Sequence, residues 1–582
     1  MKAAKDRDPN TVDDGRGAKP LSNAEIADQL QALAQLLSAK KENPYKVKAY
    51  QRAASKIRGM GESIDELVRE ETDLTQYTGI GEAIASALRE IVNTGSLRKL
   101  ETLRGEVTPE LAALTDFPRL DPKLVRHAYK KLSIASIDEL RSALENGELE
   151  EKLGSRLAGH VRRGLTQPSA MLLYHADDLR LNVEEYLLNR CRAERTEAVG
   201  EFRRRRETIE ELGFVVQAKD VNSLILCLQG FGGNTPLISR REHHGGVEAL
   251  FALSSGLALR IQTAAKPDWG FQLALSTGSE DHVKKLISKW GGNRRFLSSR
   301  NQLPTEEEVY ARAKLQFIPP ELREGRDEVD LAARNKLPCL VTAKDIRGEL
   351  HAHSTSSDGT YSIEDMARAA EDRGYEYLGI TDHSQSLKIA RGLSTEALWQ
   401  QLRFIDRLNS RKRKLRILKS AEVDILADGA LDYPNDLLRE LDYTMCSIHS
   451  RFALNEEKQT ERILRAMDNP YFTILGHATG RLLLKRPGYE IDIERIVKHA
   501  KARGCFFEIN SSPDRLDLSS HNARLARVNG IRIAVTTDAH SIRDYNYVRY
   551  GIDQARRAGL EARDVLNALP LPDLLMQLKA KR

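Results

Sequence analysis

The sequence predicts a multidomain chain with a helical first part, a mixed α+β middle and an α/β barrel of parallel strands at the end. Three observations carry this. From Leu21 to about Leu103, apolar residues recur at three- and four-residue spacing, as in IADQLQALAQLL and IASALREIV. Between about 170 and 318, runs such as FVVQ, SLILCLQ and ALRIQT read as strands separated by helices. From Ile346 onward, seven short apolar runs, each ending in polar residues, alternate with helical segments. Such alternation is the mark of a parallel sheet, closed or nearly closed.

At 582 residues the chain has room for about four units. Residues 1–20, rich in Gly, Pro and Asp, read as a flexible tail. Residues 21–103 form one helical domain. Residues 104–168 continue as short helices broken by Pro118 and Pro122, a second helical domain. Residues 169–318 are the mixed domain, and 319–345, with Pro319, Pro320 and Pro338, read as a linker. Residues 346–582 form the barrel. Within it, SIEDMARAAEDRG starts on a Ser362–Asp365 capping box and stops at Gly374.

Composition narrows the class. Hydrophobic residues make up 41% and charged residues 30%, as in a soluble globular protein. No run of 18 apolar residues exists for a spanning helix, and the N-terminal stretch lacks the apolar core of a secretory signal. The five cysteines, Cys191, Cys227, Cys339, Cys446 and Cys505, lack CxxC spacing and read as reduced thiols of a cytoplasmic protein. The net charge of +6 is mild, so a nucleic-acid surface must come from local clusters.

The barrel runs carry the chemistry. His351 and His353 alternate along RGELHAH, and Asp358 follows in the next loop. His383 closes TDH, Glu422 closes SAE, His449 closes SIH, His477 closes LGH, and Asp538 and His540 close TTDAH. In such barrels the chemistry sits at the C-terminal ends of the strands, so these nine side chains converge on one rim. Histidine and carboxylate together suit Zn, Mn or Fe better than Mg. Two or three cations bridged by a carboxylate lower the pKa of a shared water and clamp a phosphate. Glu422 is the candidate bridge. Glu422, His351, His353, Asp538 and His540 are the expected catalytic group.

The order HxH…D…TDH…E…H…GH…DxH over about 346–545 resembles the PHP (polymerase and histidinol phosphatase) family, with all nine positions filled. The resemblance implies a distorted seven-stranded (β/α) barrel, a three-ion site holding Mn or Zn, and phosphoesterase activity.

In the helical part, Gly79-Ile80-Gly81 lies between two helical stretches. Two glycines allow a tight turn that offers backbone N–H groups to a phosphate, and the next helix adds its dipole. This is a helix-hairpin-helix pattern, which grips the DNA backbone. Nearby, KKENPYKVKAYQRAASKIR holds seven basic residues and one acid, interleaved with Tyr45 and Tyr50. Lys46, Lys48 and Arg52 are its candidate phosphate contacts. The run Arg203 to Arg206 adds Arg203 and Arg204 as further candidates.

NPYKVKAYQRAA, TGIG, RRRRET, TGS and IPPELREGRDE together resemble the bacterial family X DNA polymerases, whose polymerase-beta-like nucleotidyltransferase palm precedes a PHP domain. In that family, residues 104–168 would be fingers-like and 169–318 palm and thumb. The implied partners are gapped, nicked or 3′-ended DNA, in a nucleoid-associated bacterial setting.

The departures from the family are concentrated in the palm. Glu211 and Gly213 stand where two catalytic aspartates belong, and Ala258 where the third does. Glu201 replaces a serine beside the nucleotide phosphates. Leu275-Ser276 replaces an aromatic pair. Ala83 and Ala87 stand where lysines would attack an abasic sugar. The second hairpin, Phe117 to Pro122, has no glycine. The expectation is a DNA repair phosphoesterase, a 3′–5′ exonuclease or abasic-site endonuclease, that has lost synthesis. Two alternatives remain: an active gap-filling polymerase with proofreading, using Glu210, Glu211 or Asp220, and a small-molecule phosphatase.

Overall fold

The computed structural model describes residues 21–40, 42–106, 120, 122–134, 137–154, 157–158, 161 and 170–579, the last without 244–245, 254, 299–302 and 412–413. Contacts divide the chain into two units: Met1–Gln167 with Asn222–Leu237 and Phe251–Gly256, and the remainder.

The first unit opens with helices Asn23–Ala39, Pro44–Gly59, Ile64–Arg69, Glu82–Thr94 and Arg98–Glu106. Ser22 and Glu25 form a capping box at the start of the first. Asn43 caps the second, with Pro44 at its first position. The apolar stripe read from the sequence is the buried face: Ile26, Leu30, Leu33 and Leu37 pack with Ala53, Ile57, Leu88 and Ile91. Gly79 takes φ +93°, a conformation that a side chain resists. Helices Pro122–Leu132, Ile137–Glu145 and Glu148–Leu153 pack around Val125, Ala128, Leu140 and Leu149. The glycine-free hairpin at 117–122 lies mostly outside the described residues.

The mixed domain contains β1 (Met171–Leu172), β2 (Arg195–Val199), β3 (Thr208–Ile209), β4 (Glu211–Gln217), β5 (Leu237–His243), β6 (Gly246–Ala252) and β7 (Ala258–Thr263). Five of them form a sheet in the order β2-β4-β7-β6-β5, with β2 antiparallel and β7 parallel to β4. FVVQ and ALRIQT are strands, as expected. SLILCLQ is not: Val221–Leu228 is a helix that buries Leu224, Ile225 and Leu228. A short, wholly apolar run has no periodicity to separate helix from strand.

Two further expectations need correction. Residues 319–345 are no free linker: Leu322, Val329, Ala332 and Leu340 share a core with Phe271 and Tyr310. Arg323 in that segment is fully buried, with Nε donating 2.8 Å to the Ile318 carbonyl and its guanidinium paired with Glu306. Nor are all five cysteines thiols. Cys191 and Cys227 are disulfide-bonded, whereas Cys339, Cys446 and Cys505 are free.

All seven barrel runs are strands: β8 (Gly348–Ala352), β9 (Tyr377–Ile380), β10 (Arg416–Asp424), β11 (Tyr443–Ser447), β12 (Ile474–Leu475), β13 (Phe506–Asn510) and β14 (Ile533–Thr536). They pair in sequence order, every pair parallel. Beyond β14 the chain returns to β8. The His353 amide donates 2.8 Å to the Ala539 carbonyl, and the Ala539 amide donates 3.1 Å to the His351 carbonyl. The sheet is therefore nearly closed. Leu350, Tyr377, Leu418, Tyr443, Met445, Ile474 and Ala534 pack together from the strands. At Gly379 an added Cβ would lie 1.8 Å from the Tyr443 hydroxyl, so the strand needs glycine there. Helices such as Ile363–Asp372 and Thr395–Asn409 add their apolar faces to the barrel core. Among the described residues no helix is long and apolar enough to cross a membrane.

Candidate metal centre

The strands end where the expected ligands stand, and the structure gathers all nine. Three overlapping groups each place their donor atoms within 4.8 Å of one another: His353, Asp358, His383 and His540; His351, His353 and Asp538; and His383, Glu422 and His449. His353 and His383 belong to two groups each. His477 lies outside these groups, but its Nε2 is 2.9 Å from Glu422 Oε1. Glu422 is the hub, with His383 Nδ1 2.8 Å and His351 Nε2 3.5 Å from its Oε2, and His449 Nε2 3.4 Å from its Oε1. Asp538 Oδ1 lies 3.1 Å from His353 Nε2 and 3.5 Å from His351 Nε2.

Depth orders the cluster. His351, His353 and Glu422 are buried, whereas the side chains of Asp358 and His540 are about a third exposed and mark the mouth. Two ligands also sit in left-handed backbone, Asp538 at φ +53° and His477 at φ +25°. Such conformations are costly for non-glycine residues and gather at functional sites.

The donor set fits divalent cations. Buried His351 Nε2, His353 Nδ1 and His477 Nδ1 make no hydrogen bond among the described residues, and His383 Nδ1 and Glu422 Oε2, although 2.8 Å apart, lack hydrogen-bond geometry. Buried polar atoms are normally satisfied, so these unsatisfied atoms, among side chains whose donors gather within 4.8 Å, fit divalent cations.

Electrostatics agree. Burial opposes ionisation of Glu422, yet His383, His449 and His351 hold its carboxyl well below the ordinary range. Burial likewise opposes ionisation of Asp538, and His351 and His353 hold it well below. Burial works against charging His383, but Glu422 and Asp358 push it up to about 10. Burial, with His540 and His383 beside it, takes His353 down to about 4. Carboxylates held ionised are ready donors.

Several residues the sequence reading passed over complete the site. Glu508 on β13 accepts from His351 Nδ1 at 2.5 Å and from the Thr536 hydroxyl, also at 2.5 Å. Asp424 lies 2.8 Å from His449 Nδ1. Asn510 Nδ2 donates 3.0 Å to Asp538 Oδ2. Asp382 accepts from the hydroxyls of Ser354 and Ser357 at 2.6 Å each. The Glu508 and Asp424 contacts fix ring orientation and tautomer at His351 and His449, and Asn510 orients the Asp538 carboxylate. The available signal was CFFEINS itself, the one barrel run without a ligand, which nonetheless carries a glutamate and an asparagine on a buried strand.

The palm positions are differently disposed. Glu211 faces Ala258 across β4 and β7, and Gly213 faces Arg260. Arg260 Nη2 lies 2.5 Å from Glu211 Oε1, so the remaining carboxylate is spent on a guanidinium. Glu201 accepts from the Glu210 amide at 2.8 Å and pairs with Arg206 at 3.3 Å.

Three arginines of the run are engaged within the protein, whereas Arg206 is half-exposed. Arg203 donates 2.8 Å to the Thr277 hydroxyl and pairs with Glu306 at 2.7 Å. Arg204 is buried, donates 2.8 Å to the Thr277 carbonyl and pairs with Glu324. Arg205 is held by Asp177 and Asp553. Sequence showed a charge run but not the acids, distant in sequence, that neutralise it. In the helical unit, by contrast, Lys46, Lys48 and Arg52 are exposed, and nothing lies within 4 Å of an added Cβ at Gly79 or Gly81. Gly81 begins helix Glu82–Thr94 with no side-chain cap, leaving that helix end open to an anion.

Comparison with known proteins places both ends of the chain. A helix-hairpin-helix domain model matches residues 21–97, and a PHP domain model matches residues 349–512. Probable phosphatases from Thermoanaerobacter sp. (strain X514) and Acetivibrio thermocellus are 33% and 31% identical, over 38% and 33% of this chain and 89% and 78% of their own. The C-terminal barrel is thus a PHP domain, of the metal-dependent hydrolase class. A third relative spans nearly everything: the DNA polymerase/3′-5′ exonuclease PolX of Bacillus subtilis (strain 168) is 32% identical over 95% of this chain and 99% of its own. The chain belongs to the bacterial family X DNA polymerases with a C-terminal PHP domain.

Proposed function

We propose that this protein is a DNA repair phosphodiesterase. Its PHP barrel trims DNA 3′ ends or cuts at abasic sites, the helical unit holds the DNA backbone, and nucleotide addition is lost. The observation that carries this reading is the overlap of three ligand groups through His353 and His383, with Glu422 between them, in a chain similar along its whole length to a polymerase with exonuclease activity.

His351, His353, Asp358, His383, Glu422, His449, His477, Asp538 and His540 would hold two or three cations, with Mn or Zn favoured by the nitrogen-rich donor set. Bound there, such cations supply an activated water and neutralise the phosphate charge. The protein's own groups do the rest. Glu422 and Asp538 stay ionised at neutral pH, Glu508 and Asp424 fix the rings of His351 and His449, and the partly exposed Asp358 and His540 define the entry.

Loss of synthesis is supported by Gly213 and Ala258, which have no carboxylate, and by Arg260 on Glu211. Two cations on a triphosphate need fixed carboxylates. A small-molecule phosphatase is less well supported, since it gives no role to exposed Lys46, Lys48 and Arg52 or to the open glycine hairpin. The test is a labelled 3′ end with Mn. Shortening that His353→Ala abolishes supports the reading, and an intact strand with wild-type protein defeats it.

A further inference from the structure

The rim of the barrel carries a feature that metal binding does not explain. The loop Ser384–Leu393 follows His383, beyond the end of β9, and closes back on that residue. The Ser384 amide donates 2.9 Å to the Glu422 carbonyl, and the Leu393 amide donates 2.8 Å to the His383 carbonyl. The loop is tight: at Gly392 an added Cβ would lie 1.9 Å from the Ser384 carbonyl oxygen. Ala390 is buried beneath the tip, whereas its neighbour Ile389 is 92% exposed. A rigid loop anchored on two ligand-bearing segments thus holds an isoleucine out in solvent.

The surroundings are cationic. Lys388 and Arg391 flank Ile389, and both are exposed. Arg451, two residues after His449, is exposed as well. None of these three side chains has an ion pair or side-chain hydrogen bond among the described residues. Arg391 and Arg451 both take φ +57°, a left-handed backbone that costs about 1 kcal/mol or more in a residue of this kind. Arg515, from the loop after β13, places Nε 3.5 Å from Asp538 Oδ2, and Arg481 Nε donates 3.0 Å to its carbonyl. The nearby acid Asp514 is neutralised by Lys485 at 3.0 Å. Loops from three strand ends therefore bring cationic side chains to the rim, while Asp432 and Asp424, which accept from the Ser386 amide and hydroxyl, hold the base of the Ile389 loop.

Resting on the phosphodiesterase reading, we propose that this rim is a strand-end separator. The partner is the terminus of a nucleic-acid duplex. Lys388, Arg391, Arg451 and Arg515 take backbone phosphates, and Ile389 packs against the terminal base pair and opens it, so that a single strand reaches the cations. Apolar side chains set between bases unstack them in this way, and a phosphate-rich ligand matches the unpaired cations.

The experiment uses full-length protein with Mn and one 3′-labelled oligonucleotide, single-stranded or annealed as a blunt duplex. Ile389→Asn and Ile389→Ala are compared with wild type, with bound cation measured in each. Because Ile389 is exposed, neither variant removes core packing. The expected result is a fall of about tenfold in the duplex rate relative to the single-strand rate. Lys388→Ala with Arg391→Ala should raise KM for both substrates and flatten its salt dependence. An unchanged duplex-to-single-strand ratio at full cation content overturns the proposal. So does a loss of self-association on sedimentation with that ratio unchanged, which would make Ile389 a contact to a second copy. Failure of wild-type protein to cleave either form is a different result, and it defeats the phosphodiesterase reading itself.

Discussion

Glu508 does for His351 what Asp424 does for His449: each carboxylate takes one ring nitrogen and leaves the other facing Glu422. Glu508→Gln should therefore weaken cation affinity by roughly 10- to 100-fold without unfolding the barrel, read by titration with Mn. Replacing a ligand is harsher: His353→Ala or Asp538→Ala should remove phosphoesterase activity even at saturating Mn while DNA affinity persists. The same residues predict a pH effect. Without cations, burial opposes charging His383 and His449, but Glu422 pushes them up to about 10 and about 9. Both are therefore protonated at pH 7, and a cation must displace those protons. Cation affinity should rise with pH up to about 10, with protons released on binding, measurable by calorimetry in buffers of different ionisation heat. The nine candidate ligands could be picked out in the sequence because eight of them stand at or near the end of an apolar run, with Asp358 in the loop after the first. Glu508 and Asn510 could not, since they touch the site through His351 and Asp538, which no spacing reveals.

At the scale of elements, the two basic stretches separate. Arg204 is buried against Glu324 and the Thr277 carbonyl, so Arg204→Ala should cost about 3 kcal/mol of stability, read from denaturant midpoints, by stranding Glu324. Arg557, also on Glu324, would soften that loss. Exposed Lys46 and Lys48 lie on the outer face of helix Pro44–Gly59. Their joint replacement by Ala should leave stability unchanged and reduce the slope of log affinity against log salt by about 1.5, measured by filter binding with gapped DNA. The seven barrel strands and the long N-terminal helices were readable because their periodicity or their polar endings were strong. Val221–Leu228 was not, because eight apolar-rich residues fit a strand as well as a helix. The packing of Arg323 inside segment 319–345 was hidden for another reason: its partner Glu306 is 17 residues away.

At the scale of the whole molecule, one chain joins a helix-hairpin-helix unit, a mixed domain with Gly213 and Ala258 at two of the expected aspartate positions, and a PHP barrel that gathers the candidate ligands. The order of domains was legible because the motifs at both ends are specific. The expected palm positions, Glu211, Gly213 and Ala258, could be located in the sequence, but the pairing of Glu211 with Arg260 required the parallel register of β4 and β7. The central claim is that hydrolysis at the barrel survives where synthesis has gone. It is tested most directly by a labelled primer on gapped template, incubated with Mn and all four nucleotides, using wild type and His353→Ala in parallel. Wild type should shorten the primer, and His353→Ala should leave its length unchanged. Template-dependent extension by His353→Ala, lost on adding Glu211→Ala, would contradict the claim, as would continued shortening by His353→Ala.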